Sequence, residues 1–130
     1  MKINFLRSKI IQIFEKHKLS KKHSKVCADY LIKAELIEAK SHGLTRLKMY
    51  CNRIKKKLIN PKPKIKVKRI NSSISYVDAD NSIGFVSADI GVAQAIKNAK
   101  KTGVGLVAIK NSGHFGLSSF YAEQAVKKNL

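Results

Sequence analysis

Apolar side chains recur every three or four residues through the first sixty residues, which predicts three amphipathic helices. The apolar faces comprise Leu6, Ile10, Ile13 and Phe14 in the first helix, Cys27, Leu31 and Ala34 in the second, and Leu47, Cys51, Ile54 and Leu58 in the third. Ser20 is a suitable N-cap for the second helix, and the third is expected to begin near Gly43. The Asn60-Pro61 step is expected to end it, because proline disfavours a helical conformation in the preceding residue.

The second half of the chain alternates between strand patterns and helical patterns. The predicted elements are strands over Lys64–Lys68 and Ile74–Val77, a turn over Asp78–Ser82, a helix from Ser87 to about Lys101 that stops at Gly103, a strand over Val104–Ile109, a loop over Asn111–Gly116 and a helix over Leu117–Lys128. The first strand alternates strictly, which is typical of one solvated and one buried face. The continuous apolar run at Val104–Ile109 is typical of a buried strand.

Together these elements predict an α/β protein. Residues 1–60 form a helical region, and in residues 61–130 helices alternate with the strands of a small sheet; the alternative is an all-helical basic domain. The apolar runs are too short to span a bilayer and no secretory signal is evident, so we expect a cytoplasmic location. The two cysteines, Cys27 and Cys51, predict neither a disulfide framework nor a metal site.

The net charge of +19 is concentrated in residues 1–70, which hold 21 basic side chains and four acidic ones. Such a region suggests a polyanionic partner, and a basic nucleic-acid-binding module is the alternative function. However, lysine outnumbers arginine 23 to 4, a composition that AT-rich codons also produce. Lysine suits nonspecific charge rather than base reading, and Tyr30 and Tyr50 lie on apolar stripes instead of offering stacking surfaces. We therefore expect weak, salt-sensitive binding at most, and no specific nucleic acid.

The first chemically suggestive stretch is Ser41-His42-Gly43-Leu44-Thr45-Arg46. His42 and Arg46 are four residues apart, so in a helix they project from one face. Histidine can transfer a proton near neutral pH, arginine can hold a carboxylate at two points, and Ser41 can orient the imidazole through a hydrogen bond. The alternative is that Ser41 caps a helix, His42 is partly exposed and Arg46 is solvated.

The second stretch, Asn111-Ser112-Gly113-His114-Phe115-Gly116, follows a predicted strand and precedes a predicted helix. Binding sites concentrate in such loops of open α/β sheets, and a helix start offers backbone N–H groups to a phosphate or nucleotide. The alternative is an ordinary turn in which glycine supplies conformational freedom and Phe115 caps the core. Gly103 and Gly105 lack the third glycine of a dinucleotide fingerprint.

These stretches together resemble one family. Ser41-His42-Gly43-Leu44-Thr45-Arg46-Leu47, Met49-Tyr50, Ile59-Asn60-Pro61 and Asn111-Ser112-Gly113-His114-Phe115-Gly116 are similar, in this order, to motifs of the malate/L-lactate dehydrogenase family, from about Phe5 to Leu130. That family lacks a Rossmann domain. It includes sulfolactate, ureidoglycolate and diketogulonate oxidoreductases and a reductase of cyclic imino acids.

The resemblance implies an NAD- or NADP-dependent dehydrogenase that acts on a small 2-hydroxy or 2-keto acid, or on a cyclic imino acid. It implies that His42 is the catalytic acid/base, that Ser41 is its relay partner and that Arg46 binds the substrate carboxylate. His114, Phe115, Gly116, Leu117 and Ser118 would contact the nicotinamide cofactor, with His114 as second candidate for the acid/base. No metal and no membrane are implied, and the full-length enzyme would be a homodimer.

The sequence departs from the family pattern in two stretches and in length. Ile37–Lys40 stands where the family has Arg-Gly and an acid, and Ala79 and Ser82 stand where glycine is usual. Family members are more than twice as long, so the resemblance implies an N-terminal fragment, an incomplete gene or a decayed gene. Most cofactor contacts would be absent, and we expect no turnover by these 130 residues alone and exposure of apolar faces that favour association.

Overall fold

The first unit of the computed structural model is helical and ends at Lys62; the structure describes residues 3–130. Its elements are α1 (Ile3–Lys16), α2 (Lys21–Leu36), a 3-10 turn (Leu44–Arg46) and α3 (Leu47–Lys55). Ile10 and Phe14 of α1 are buried, as are Cys27 and Leu31 of α2, so the predicted apolar faces of these two helices form a core. Arg7 on α1 and Asp29 on α2 make a two-point ion pair across the exposed edge of this packing.

Ser20 caps α2 as predicted, because its hydroxyl oxygen accepts a hydrogen bond from the His23 backbone N–H at 3.2 Å. The third helix is shorter than predicted and ends at Lys55 instead of Asn60. Its predicted apolar position Leu58 is 64% exposed, whereas Ile59 is buried. The physical reason is that the chain reverses at Lys57, after the helix, so that Ile59 is buried instead of Leu58.

That reversal recurs at all three helix ends of this unit. Lys18, Glu38 and Lys57 adopt left-handed conformations, with φ of 69°, 59° and 58°. Around each, the next N–H bonds back to a carbonyl five residues earlier and the residue's own N–H bonds three residues back, the pattern of a Schellman motif. Glycine fits this position best, because its lack of a Cβ atom removes the steric conflict.

The second unit, Pro63–Leu130, holds a small mixed sheet. Its elements are β1 (Lys66–Arg69), β2 (Ile74–Ser82), α4 (Gly84–Thr102), β3 (Leu106–Ser112) and α5 (Ser119–Val126). The strand order is β1-β2-β3, with β1 antiparallel to β2 and β3 parallel to it through the α4 crossover. The predicted α/β class is confirmed, and Gly103 ends α4 in the left-handed conformation that was expected of it.

The stretch Asp78–Ser82 continues β2, so its prediction as a turn is wrong. A bulge accommodates the polar residues: Asp78 pairs with Lys110 and Ser82 pairs with Ser112, so β2 advances four residues while β3 advances two. Asp80 and Asn81 take left-handed conformations inside the bulge. Aspartate and asparagine tolerate that conformation better than most residues, which explains why a turn-like sequence occurs in a strand.

Helix α4 packs over β2 and β3 through small and polar residues. A Cβ atom on Gly91 would collide with the Ile109 side chain, so glycine permits the close packing of helix on strand. Asn98 is buried, and its amide donates to the Ser75 hydroxyl at 3.0 Å and to the Ser73 carbonyl at 3.2 Å. The helix therefore binds the sheet partly through a polar contact that the apolar pattern does not predict.

The two outer strands are more exposed than predicted. All of β1 is exposed, including Val67 on the face expected to be buried, because β1 lies at the sheet edge beside the part that α4 covers. In β3, predicted to be a buried strand, Leu106 is 56% exposed and Ile109 is 36% exposed. An apolar run becomes buried only where neighbours cover it, and within residues 3–130 β3 pairs with β2 alone.

The exposed apolar edge of β3 predicts association of the chain with itself. Leu106→Lys should reduce concentration-dependent association, measured by light scattering after size-exclusion chromatography, with an unchanged circular dichroism spectrum. Leu36→Lys is the matched control, because Leu36 is 60% exposed at the end of α2. Equal association in both variants would refute the role of β3.

The left-handed conformation of Glu38 predicts that glycine suits this position better. Glu38→Gly should raise the free energy of unfolding by about 1 kcal/mol, because the steric penalty for a Cβ atom disappears. Glu38→Ala loses the same charge but keeps the Cβ atom, so it should not be stabilised. Urea denaturation of both variants measures the difference, and equal stabilities would contradict the strain argument.

Candidate active site

The motif Ser41–Arg46 lies in the connection between α2 and α3. The His42 backbone N–H donates to the Ala39 carbonyl at 2.8 Å, and Gly43 precedes the 3-10 turn that leads into α3. A helical segment therefore begins next to Gly43, as predicted, but its first turn is a 3-10 turn. His42 precedes the helix, so the expectation that His42 and Arg46 share a helical face is wrong.

Ser41 contacts both side chains instead. Its hydroxyl oxygen lies 2.9 Å from His42 Nδ1, and its carbonyl oxygen accepts a hydrogen bond from Arg46 Nε. Since the Arg46 Nε–H is used inside the turn, the two terminal nitrogens of the guanidinium form the edge available to a carboxylate. Arg46 Nη1 also lies 3.9 Å from the Met49 sulfur.

The contact between Ser41 and His42 links the hydroxyl to the tautomer of the ring. When the hydroxyl accepts from Nδ1–H, Nε2 of the neutral ring is the acceptor that can take a proton from a bound hydroxyl, and the protonated ring can return that proton from Nε2. His42 is half-buried and Ser41 is exposed. A half-buried imidazole with one nitrogen engaged by a hydroxyl is suited to proton transfer.

Glu35 on α2 supports this turn and was not singled out by the motif analysis. Its Oε2 accepts a hydrogen bond from the Leu44 backbone N–H at 3.0 Å. The same carboxylate occupies the space that a Cβ atom on Gly43 would need, which explains the glycine beside His42. Eight residues separate Glu35 from Leu44 in sequence, so only the folded chain reveals the pair.

The second motif forms the loop between β3 and α5. β3 extends to Ser112 and α5 begins at Ser119, so the loop is displaced by two residues from its predicted bounds. The Tyr121 hydroxyl donates to the Phe115 carbonyl, and the two rings lie 5.7 Å apart. The alternative in which Phe115 caps the core is wrong, because its side chain is 44% exposed.

Two glycines allow the loop to approach the rest of the unit. Gly116 has a φ of 80°, and a Cβ atom there would collide with the Phe85 ring. On α4, a Cβ atom on Gly84 would collide with the backbone carbonyls of Gly113 and His114. The backbone of the loop therefore packs directly on the start of α4.

Polar contacts at the base of the loop hold the end of β3. The hydroxyls of Ser87 and Ser112 lie 2.7 Å apart, and Ser87 also donates to the Gly84 carbonyl. The Asn111 amide donates to an Asp78 carboxylate oxygen at 3.0 Å. That amide, the backbone N–H of Asp80 and the Lys110 charge together lower the pKa of Asp78.

A cavity of about 530 Å³ adjoins this loop. Phe115, Ser118 and Tyr121 line one side, and the small residues of α4 and the side chains of Val107 and Ile109 line the rest. Among the described residues, the lining is mostly apolar, includes the hydroxyls of Ser112, Ser118 and Tyr121, and contains no charged side chain. Within these residues it therefore offers no cation to an anionic ligand.

The structure describes the two motifs within separate units. Ser41, His42 and Arg46 are brought together in the first unit, and His114–Ser118 form one continuous loop in the second. Within residues 3–130 no three His, Cys, Asp or Glu side chains are placed to hold a metal ion, and no helix is long and apolar enough to cross a bilayer. Cys27 and Cys51 are buried free thiols whose pKa burial raises.

Comparison with known proteins gives an independent identification. The malate/L-lactate dehydrogenase family model matches residues 1–130. The chain is 35% identical over 121 residues to L-sulfolactate dehydrogenase of Methanocaldococcus jannaschii, covering 93% of this chain and 35% of that protein. It is 33% identical over 109 residues to ureidoglycolate dehydrogenase (NAD(+)) of Escherichia coli K12, covering 84% and 31%.

A solved structure is similar over nearly the whole chain. Malate dehydrogenase from Pyrococcus horikoshii superposes with a TM-score of 0.94 at 35% identity, covering 98% of this chain and 37% of that one. The chain thus spans about a third of the length of the relatives it matches. The order of motifs, the α/β fold and the family match agree: the chain belongs to the malate/L-lactate dehydrogenase family.

Proposed function

We propose that residues 1–130 supply the substrate-binding and proton-transfer groups of an NAD- or NADP-dependent dehydrogenase that acts on a CH–OH group. The observation that carries this proposal is the arrangement around Ser41, which contacts the His42 ring through its hydroxyl and Arg46 through its carbonyl. A proton-transfer group and a carboxylate-binding group are thereby held by one residue. A small 2-hydroxy or 2-keto acid needs both.

Arg46 binds the substrate carboxylate through its terminal nitrogens, since its Nε is held by Ser41. His42 exchanges a proton with the substrate oxygen, and Ser41 orients the ring through Nδ1. Glu35 is a positioning residue, because it bonds the backbone just after His42. His114 is the second candidate for the acid/base.

The loop His114–Ser118 contacts the nicotinamide end of the cofactor, in or beside the apolar cavity that Phe115 and Ser118 line. When bound, that cofactor accepts or donates the hydride of the reaction. Tyr121 holds the loop through the Phe115 carbonyl, and Gly116 lets it turn against Phe85. The lining has no cation, so the diphosphate must be bound by other groups.

The names of the relatives and the presence of Arg46 support the substrate class that we propose. The relatives are named for malate, sulfolactate and ureidoglycolate, which supports oxidation and reduction of hydroxy acids. We extend the proposal to cyclic imino acids, because Arg46 binds the same carboxylate and His42 can protonate a nitrogen as readily as an oxygen. We propose that the whole enzyme acts as a homodimer in the cytoplasm.

The roles of His42 and Arg46 can be separated kinetically. In a hybrid that joins residues 1–130 to the rest of M. jannaschii L-sulfolactate dehydrogenase, His42→Ala should lower kcat by about 100-fold or more with little change in KM. Arg46→Lys keeps the charge but loses the two-point contact, so it should raise KM by about tenfold to 100-fold. Steady-state kinetics with sulfopyruvate measure both effects.

Lys48→Ala is the control for these variants, because Lys48 is an exposed residue of α3 only two positions after Arg46. Wild-type kinetics in both His42→Ala and Arg46→Lys would refute the site. A large loss of kcat in His114→Ala with none in His42→Ala would show that His114, the second candidate, is the acid/base.

The 130 residues alone should not turn over substrate. Hydride transfer requires the cofactor to be held against the substrate, and the described residues offer an apolar cavity without groups for the diphosphate. Purified chain should leave NADH and NADPH unoxidised with a panel of 2-keto acids and cyclic imines, followed by absorbance. Clear turnover would show that the site is complete within this chain.

A further inference from the structure

The first unit contains a second cavity, of about 760 Å³, whose lining includes none of Ser41, His42 and Arg46. Its walls are the segment Lys16–Lys18 at the end of α1, Ile54 and Lys55 at the end of α3, Lys57, and the segment Ile59–Pro61. The volume lies within the range of about 300–1,000 Å³ that is common for small-molecule sites.

The cavity combines an apolar floor with a cationic rim. Ile54 and Ile59 form the floor and are 8% and 3% exposed. The rim carries four exposed lysines, here called the cavity lysines: Lys16, Lys18, Lys55 and Lys57. The lining contains no acidic residue, and the ion pairs described within residues 3–130 use other basic side chains.

Two of the cavity lysines have a backbone conformation that is fixed by the end of a helix. Lys18 and Lys57 occupy the left-handed position of the Schellman motifs that end α1 and α3, with φ of 69° and 58°. Both motifs therefore direct the chain along the rim of the same cavity. Four like charges around one opening repel each other, and an anion placed between them removes that repulsion.

His17 adds a directed polar group to the lining. Its Nδ1 donates a hydrogen bond to the Ile13 carbonyl at 2.8 Å, so the proton of the neutral ring lies on Nδ1. Nε2 is consequently the ring nitrogen that can meet a ligand, as an acceptor in the neutral ring and as a donor in the protonated ring.

The residue types select the kind of anion. Lysine is a compact point charge that commonly binds phosphate, and arginine, whose planar fork binds carboxylate or phosphate at two points, is absent from the lining. The floor of Ile54 and Ile59 favours a ligand with an apolar or planar body. We propose that this cavity binds a small organic phosphate that carries such a body, independently of the oxidoreductase site.

Calorimetry with the 130-residue chain at constant ionic strength tests the proposal. The probe is 1-naphthyl phosphate, and inorganic phosphate, which lacks an apolar ring, is the comparison ligand. We expect 1-naphthyl phosphate to bind at least about tenfold more tightly, because its ring covers the floor. Equal affinities would show that the floor takes no part and would overturn the proposal.

Two double variants test the rim. Lys18→Gly with Lys57→Gly removes two charges where glycine is the least strained residue, and Lys16→Gln with Lys55→Gln removes the other two. Each pair should weaken 1-naphthyl phosphate by about tenfold. The control, Lys25→Gln with Lys48→Gln, removes two exposed lysines outside the lining and should change the affinity less than twofold.

Two results would overturn the proposal. An equal loss in the control pair would show attraction by net charge alone. An unchanged affinity in Lys18→Gly with Lys57→Gly, together with altered thermal stability, would show that these lysines serve only the helix ends. The result is separate from the activity of the hybrid enzyme, because none of these lysines belongs to the candidate active site.

Discussion

The first unit depends on one backbone constraint, the left-handed residue at the end of each helix. At Glu38 the reversal ends α2 and leads the chain into the turn that carries Ser41 and His42. The Glu35 carboxylate then bonds that turn from the last part of α2, and the absence of a side chain on Gly43 lets it approach. The position of His42, the candidate proton-transfer group, therefore depends on the way in which α2 ends.

The second unit depends on close approach of backbone to backbone. Gly84 lets the carbonyls of Gly113 and His114 pack against the start of α4, and Gly116 lets the same loop turn over Phe85. The bulge in β2 meets the left-handed Asn111 on β3, where the amide of Asn111 bonds Asp78. Strand ends and helix start thus form one hydrogen-bonded assembly that presents the loop His114–Ser118.

Lysine has a different effect in each unit. In the first, lysines end helices α1 and α3 and surround a cavity with an apolar floor, which concentrates positive charge at one place. In the second, Lys110 lies over the Tyr76 ring and beside Asp78. Its hydrogen bond to the Tyr76 side chain and its attraction to Tyr76 and then to Asp78 raise the pKa of Lys110. The same residue type is thus a local partner on the sheet and a source of excess charge among the helices.

Local patterns in the sequence determined the helices, the Ser20 cap, the stop at Gly103, the α/β order and the family, because helical spacing, capping and motif order are properties of neighbouring residues. The contact between Ser41 and His42 joins adjacent residues, and the motif already suggested it. The bond from Arg46 to the Ser41 carbonyl, the support from Glu35 and the bulge at Asp80 were decided by the folded chain, since each joins groups that the pattern does not relate. The apolar run of β3 shows the same limit. Composition makes a strand suitable for burial, but its exposure is set by the neighbours that the fold places beside it.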